Sequence, residues 1–390
     1  MKKLLTTLLN ICLALLLVDA GVSLLDDSLI LFAGLYILAP IRGMLAFFAL
    51  FTGLFLYVLT GVTPMIPKRY FLPLALFGPA AMLAAIPFSI FHYDQLQKIA
   101  WALSWCEVLL SLCILVWLRG TLSIRWPLVR EDQLGDRAFG WLNSAGFVAV
   151  NLFILLPGVL CYLAFCGSLA VEHFSGGFLS LRTDSLVMRA VKYVRDDGKT
   201  IQLIPMMHIG EPDFYKQITS SFPTNSVILM EGVTDRKNLL QEKLSYGRVA
   251  KSLGLTEQKE EFTPARGRPR MADVDIEQFS ARSIEILKLM TRIHAEGLSL
   301  DVILKLMEKS KDPELTREIW EDLLDKRNAH LLKEIEEELR KSDIIVVPWG
   351  AAHMRGIGEG IQTSGFRPSD TQEYKILRFQ TVWNGLRGRK

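Results

Sequence analysis

Residues 344–358 read IIVVPWGAAHMRGIG, and the reading of this stretch decides the fold of the C-terminal half. Ile344 to Val347 is uncharged and β-branched, the composition of a strand buried on both faces. Pro348 has no N–H to give a ladder, so the strand is expected to stop about there. Gly350, Ala351 and Ala352 follow, and then His353. Open α/β sheets place their chemistry in this manner, outside the carboxyl ends of the strands. Taken by itself, the stretch fits equally a core strand leading into a turn, with His353 satisfied by one hydrogen bond.

The pattern recurs upstream. Val187 to Val194 and Thr200 to Met207 are strand-like runs joined by the tight-turn sequence Arg195-Asp196-Asp197-Gly198-Lys199, which predicts a hairpin. The returning strand ends at His208. Val227 to Met230 is a further short buried strand, and Glu231 stands directly after it. A carboxylate there is costly to bury unless it is paired or bound to a cation. Arg236 is the candidate partner, and metal ligation is the alternative. Helices are expected over Glu211–Ser221, over the charged residues 237–262, and over Ser280–Lys341 with breaks at Gly297 and Pro313. ARGRPR, containing Arg266, Arg268 and Arg270, reads as a basic loop, solvated or anion-binding. In Met271–Phe279, Asp273 and Asp275 are expected to cap the next helix, with a supporting role at a site as the alternative. A helix from Gly356 to Thr363 and a last strand from Tyr374 to Thr381 complete an α/β domain, a mixed, partly parallel sheet flanked by helices.

His208, Glu231 and His353 thus each stand at the end of a predicted buried strand. Neighbouring strands lie about 4.8 Å apart, so three such ends can meet. Two imidazoles and a carboxylate suit a divalent transition metal with positions open for water and substrate. A metal so held acidifies its water and polarises a carbonyl, which is hydrolytic chemistry. No HExxH or cysteine motif accompanies them.

In this order and with these residues, positions from about 187 to 379 resemble the TraB/PrgY/GumN family, which includes the membrane-tethered Tiki metalloproteases. The residues that carry the resemblance are Gly350-Ala351-Ala352-His353, Glu231 with Arg236, the pair Arg327-Asn328 on a late helix, and the segment ADVDIEQFS. The first glycine-x-x-histidine motif departs from the family, because Pro205 stands where glycine is expected before His208. The resemblance implies a metallopeptidase-like hydrolase binding manganese, cobalt or a similar divalent ion through His208, Glu231 and His353. It also implies that Arg236, Arg327, Asn328 and Gly350 bind substrate, stabilise an oxyanion or pack the site. A peptide-sequestering protein without turnover is the alternative within the family, and the Pro205 departure suits it.

The N-terminal half differs in kind. Of 390 residues, 50% are hydrophobic, and these concentrate before residue 175. All five cysteines, Cys12, Cys106, Cys113, Cys161 and Cys166, fall there, which leaves the C-terminal half without a thiolate metal site. Membrane spans, about 20 apolar residues each, are expected at Leu4–Leu25, Met44–Val62, Phe71–Phe91, Ile99–Leu118 and within Trp141–Val171, kinked at Pro157. Lys2, Lys3, Lys68, Arg69, Arg119, Arg125, Arg130 and Arg137 favour every second loop. This places the N-terminus in the cytoplasm and, after five spans, the C-terminal domain outside it. Asp19, Arg42 and Glu107 lie in or beside the spans and raise a transport reading, a third class of function. A net charge of +3 gives no sign of a nucleic-acid partner. The expected organisation is a transmembrane domain over 1–175, a linker over 176–185 and the α/β domain over 186–390. The lipid bilayer and a peptide or protein substrate are the expected partners.

Overall fold

The computed structural model describes residues 1–122, 125–240, 245–296 and 312–388, and the break expected at Gly297 lies outside them. The chain divides into two compact units, Met1–Cys166 and Gly167–Lys390.

Among the described residues, five helical stretches are long and apolar enough to cross a membrane. They are α1 (Lys2–Ala33), α2 (Ala39–Val62), α3 (Lys68–Phe91), α4 (Leu96–Arg119), and α5 (Trp141–Val150) continuing into α6 (Leu156–Phe174). α1 outruns the expected first span and absorbs Leu29–Ala33. Gly34, at φ +66°, then closes it by donating to the Ile30 carbonyl, a turn that only glycine makes without strain. The irregularity expected at Pro157 is a π-turn over Asn151–Leu155, just upstream of the missing proline N–H. Leu9, Leu13, Leu56, Phe71 and Ile114 form the centre of the first unit. Asn10 is buried among them because it exchanges two 2.9 Å hydrogen bonds with the Val129 backbone.

The second unit is organised on a seven-stranded mixed sheet. Its strands are β1 (Leu179–Leu181), β2 (Ser185–Val194), β3 (Thr200–Met206), β5 (Val227–Met230), β7 (Arg268–Met271), β8 (Ile344–Gly350) and β9 (Arg367–Arg378), while β4 (Ile209–Gly210) and β6 (Thr256–Glu257) pair separately. The order is β1-β2-β3-β8-β5-β7, with β9 on the other flank of β2. β3, β8, β5 and β7 are parallel neighbours, and the pairs of β2 are antiparallel. Helices α7 (Pro212–Ser221), α8 (Gly247–Ser252), α9 (Gln258–Glu261), α10 (Ala281–Glu296), α11 (Pro313–Trp320), α12 (Lys326–Leu339), α13 (Met354–Thr363) and α14 (Phe379–Arg387) complete it. Ile345 and Val347 of β8 pack with Leu331 of α12 and Ile357 of α13. Val346 faces the opposite side, with Phe214 and Ile218 of α7. This alternation is why β8 reads as a continuous apolar run: both of its faces are covered.

Several expectations change. β8 runs past Pro348 to Gly350, because its ladder with β3 continues to Met206 opposite Gly350. Its ladder with β5 ends at Val346 opposite Ile228, and the Leu229 carbonyl accepts the Trp349 indole N–H at 3.0 Å instead of a backbone donor. Pro205 likewise sits where β2 has already left β3, whose antiparallel ladder ends at Leu203. The expected linker contains β1. The expected basic loop is in part β7: Arg270 reaches Glu334 and Glu338 of α12, and Arg268 reaches Glu338, so these charges tie strand to helix. Among the described residues, 237–262 hold the short helices α8 and α9 and the strand β6, and the last strand ends at Arg378, ahead of α14.

Candidate functional site

The four parallel strands bring four polar residues to one end of the sheet. His208 lies two residues beyond β3, His353 three beyond β8, Glu231 one beyond β5 and Asp273 two beyond β7. α12 delivers Arg327 from the side, directly after a π-turn over Glu321–Asp325. Arg327 is 9% exposed and gives all five of its N–H bonds to protein. Nε donates to Asp273 Oδ1 at 3.0 Å, and Nη2 to Asp273 Oδ2 at 2.7 Å and Glu231 Oε1 at 2.6 Å. Nη1 donates to His353 Nε2 at 3.0 Å and to the Leu323 carbonyl at 3.3 Å. Burial works against its charge, but the bond to Asp273 and the nearby Glu231 and Asp273 charges outweigh it, holding the pKa above the ordinary arginine value.

These partners also fix the chemistry of His353. Arg327 can only donate, so Nε2 carries the lone pair; Nδ1–H then donates to Asn328 Oδ1 at 2.8 Å. The imidazole is neutral. Its pKa is lowered to about 4 by burial first and the Arg327 charge second, against the opposing pull of Glu231 and Asp273. Gly356 makes room for Asn328, since a Cβ there would stand 2.7 Å from its Nδ2. Gly350 donates its N–H to Glu231 Oε2 at 2.5 Å, and a Cβ on it would lie 3.2 Å from the same oxygen. The cluster therefore carries one guanidinium and two carboxylates around a neutral histidine.

Glu231 and His353 meet, with Oε1 and Nε2 3.6 Å apart. His208 does not join them as a third ligand. Its ring stacks on Tyr246 at 4.8 Å between centroids, and neither ring nitrogen has a hydrogen-bond partner among the described residues. Among the described residues no three His, Cys, Asp or Glu side chains form a metal-holding group. The lone pairs that Glu231 and His353 turn toward each other are both taken by Arg327, so a divalent ion and the guanidinium are alternatives at one place. The arrangement here holds the guanidinium, and the metal expected from the resemblance does not fit it. Arg236 is not the partner of Glu231: its side chain is 83% exposed and lies 3.8 Å from Asp275. Asp275 caps the turn at Glu277, as expected of it. Asp273, for which capping was the first expectation, is instead a fully buried arm of the cluster. Its signal was the one that marked Glu231, a carboxylate just past a strand end.

A cleft of about 730 Å³ opens over this floor, lined by His208, Glu231, Arg327, His353, Tyr246 and Gln258. Apolar walls come from Met206, Met207, Ile319, Trp320, Leu323 and Leu324. The turn at Ala351–Ala352 also lines it, just ahead of α13. Comparison with protein-family models, characterised proteins and solved structures gives no match.

Proposed function

We propose that the chain is a membrane-anchored hydrolase acting on peptides that carry apolar side chains, with its cleft at the carboxyl ends of β3, β8, β5 and β7. The observation that carries this reading is the contrast between two histidines: His353 is buried, neutral and fully bonded, whereas His208 lines the cleft with neither ring nitrogen hydrogen-bonded among the described residues. His208 is then the acid–base group, taking a proton from water and returning it to the leaving amine. Glu231 keeps an unused lone pair on each oxygen and orients that water. The exposed turn before α13 offers backbone N–H and the positive end of a helix to the developing oxyanion. Arg327 and Asn328 position Glu231 and His353 and do not touch substrate. The resemblance to the TraB/PrgY/GumN family supports the same class of activity, and the five apolar helices support the anchor. By the positive-inside pattern the cleft lies outside the cytoplasm.

A second reading is a protein that binds such peptides without cutting them. The saturation of Arg327 and His353 favours it, since neither has a free donor or acceptor for a transition state. Incubating the purified full chain with a peptide library decides between them. Cleavage by the wild type that falls by about 10²-fold or more in His208→Ala is expected of a lost acid–base group. Peptides retained but never cut sink the hydrolase and leave the binding protein.

A further inference from the structure

The helical unit carries a second site, independent of the cleft. Asp19 of α1 is 6% exposed, and its Oδ1 has no hydrogen-bond partner among the described residues. It lines a cavity of about 510 Å³ bounded by α1, α2, α3 and α4, and Glu107 of α4 lines the same space. One turn along α4, the buried Ser111 Oγ is also unpartnered. Among the described residues one guanidinium borders the cavity, that of Arg42, and its charge is already answered. Nη1 and Nη2 donate to the two Asp27 oxygens at 2.5 and 3.0 Å, and Nη1 also reaches Asp26 Oδ2 at 3.2 Å. Ser104 and Gln97 complete the Asp27 carboxylate at 2.6 and 3.1 Å. Asp19 and Glu107 are left facing a space whose walls are otherwise mostly carbon, with Phe47, Leu50, Leu74, Phe77 and Met82 prominent.

A buried carboxylate without a partner is stabilised by a cation. A bare metal ion would need about six oxygen ligands, which these walls do not supply. A neutral apolar molecule would leave the Asp19 carboxylate without a counter-charge, and an anion would meet two carboxylates. The volume falls in the range of small-molecule sites, roughly 300–1,000 Å³. We propose that this cavity binds an organic ammonium, its charged head between Asp19 and Glu107 and its hydrocarbon body against the Phe47 and Phe77 side of the wall.

The test uses the full chain in phosphatidylcholine nanodiscs, with the fluorescent 1-naphthylmethylammonium ion as probe and 1-naphthalenemethanol as its neutral match. Saturable binding of the ammonium is expected, with the alcohol at least about tenfold weaker. Asp19→Asn and Glu107→Gln should each weaken the ammonium by about tenfold and leave the alcohol unchanged. If these variants do not fold, wild-type chain treated with dicyclohexylcarbodiimide gives the same answer: the ammonium, and not the alcohol, should protect Asp19 and Glu107 from modification. Equal binding of the two probes, no binding of either, or modification that ignores the ammonium overturns the proposal.

Discussion

His353 is held neutral from two sides, by an arginine that can only donate and an amide oxygen that can only accept, and this has a pH signature. Its pKa falls from the ordinary 6.5 to about 4 on folding. Above about pH 6.5 the histidine is neutral in both states and its full contribution is present. Between about 6.5 and 4 the unfolded chain takes up a proton that the folded chain refuses, so stability falls as pH falls. The loss attributable to this group is about 3 kcal/mol by pH 4. Melting of the full chain across this range should show that loss, and His353→Gln should show less of it. Identical profiles would remove the neutral, buried histidine from the site. At this scale the sequence was half legible. His208, Glu231 and His353 stood out because each follows an apolar run. Arg327 and Asp273 did not announce their pairing, because 54 residues separate them and nothing local says which carboxylate a helix arginine will meet.

At the scale of the element, β8 was readable as a strand but not in its length. Pro348 signals an end, and the ladder to β5 stops two residues before it at Val346, yet the ladder to β3 carries the strand on to Gly350. Trp349 closes the gap by giving its indole N–H to Leu229, so its role is polar as well as apolar. Trp349→Phe should cost about 1–3 kcal/mol, the penalty for leaving one buried carbonyl unpaired. Unchanged stability by thermal or denaturant melting would mean that water or a backbone shift satisfies Leu229. β7 was missed because three arginines in six residues read as solvated loop. What makes it a strand is outside it: Glu334 and Glu338 on α12 answer two of those charges. Charge partners set by tertiary packing cannot be seen in a local window.

At the scale of the molecule, composition alone marked the division between an apolar helical half and a mixed-sheet half. The turn at Gly34 ends α1 and separates it from α2, and among the described residues the long apolar helical stretches number five. With basic residues on alternate loops, this count predicts that reporter fusions after Val171 are active outside the cytoplasm and silent within it. The opposite result would reverse the orientation and place the cleft inside. The cleft itself rests on Arg327 as the site's resident cation. Peptide hydrolysis by the metal-stripped full chain, measured with and without added manganese, tests this most directly: the predicted rates are the same, and a rate that appears only with the metal would put an ion where Arg327 now stands.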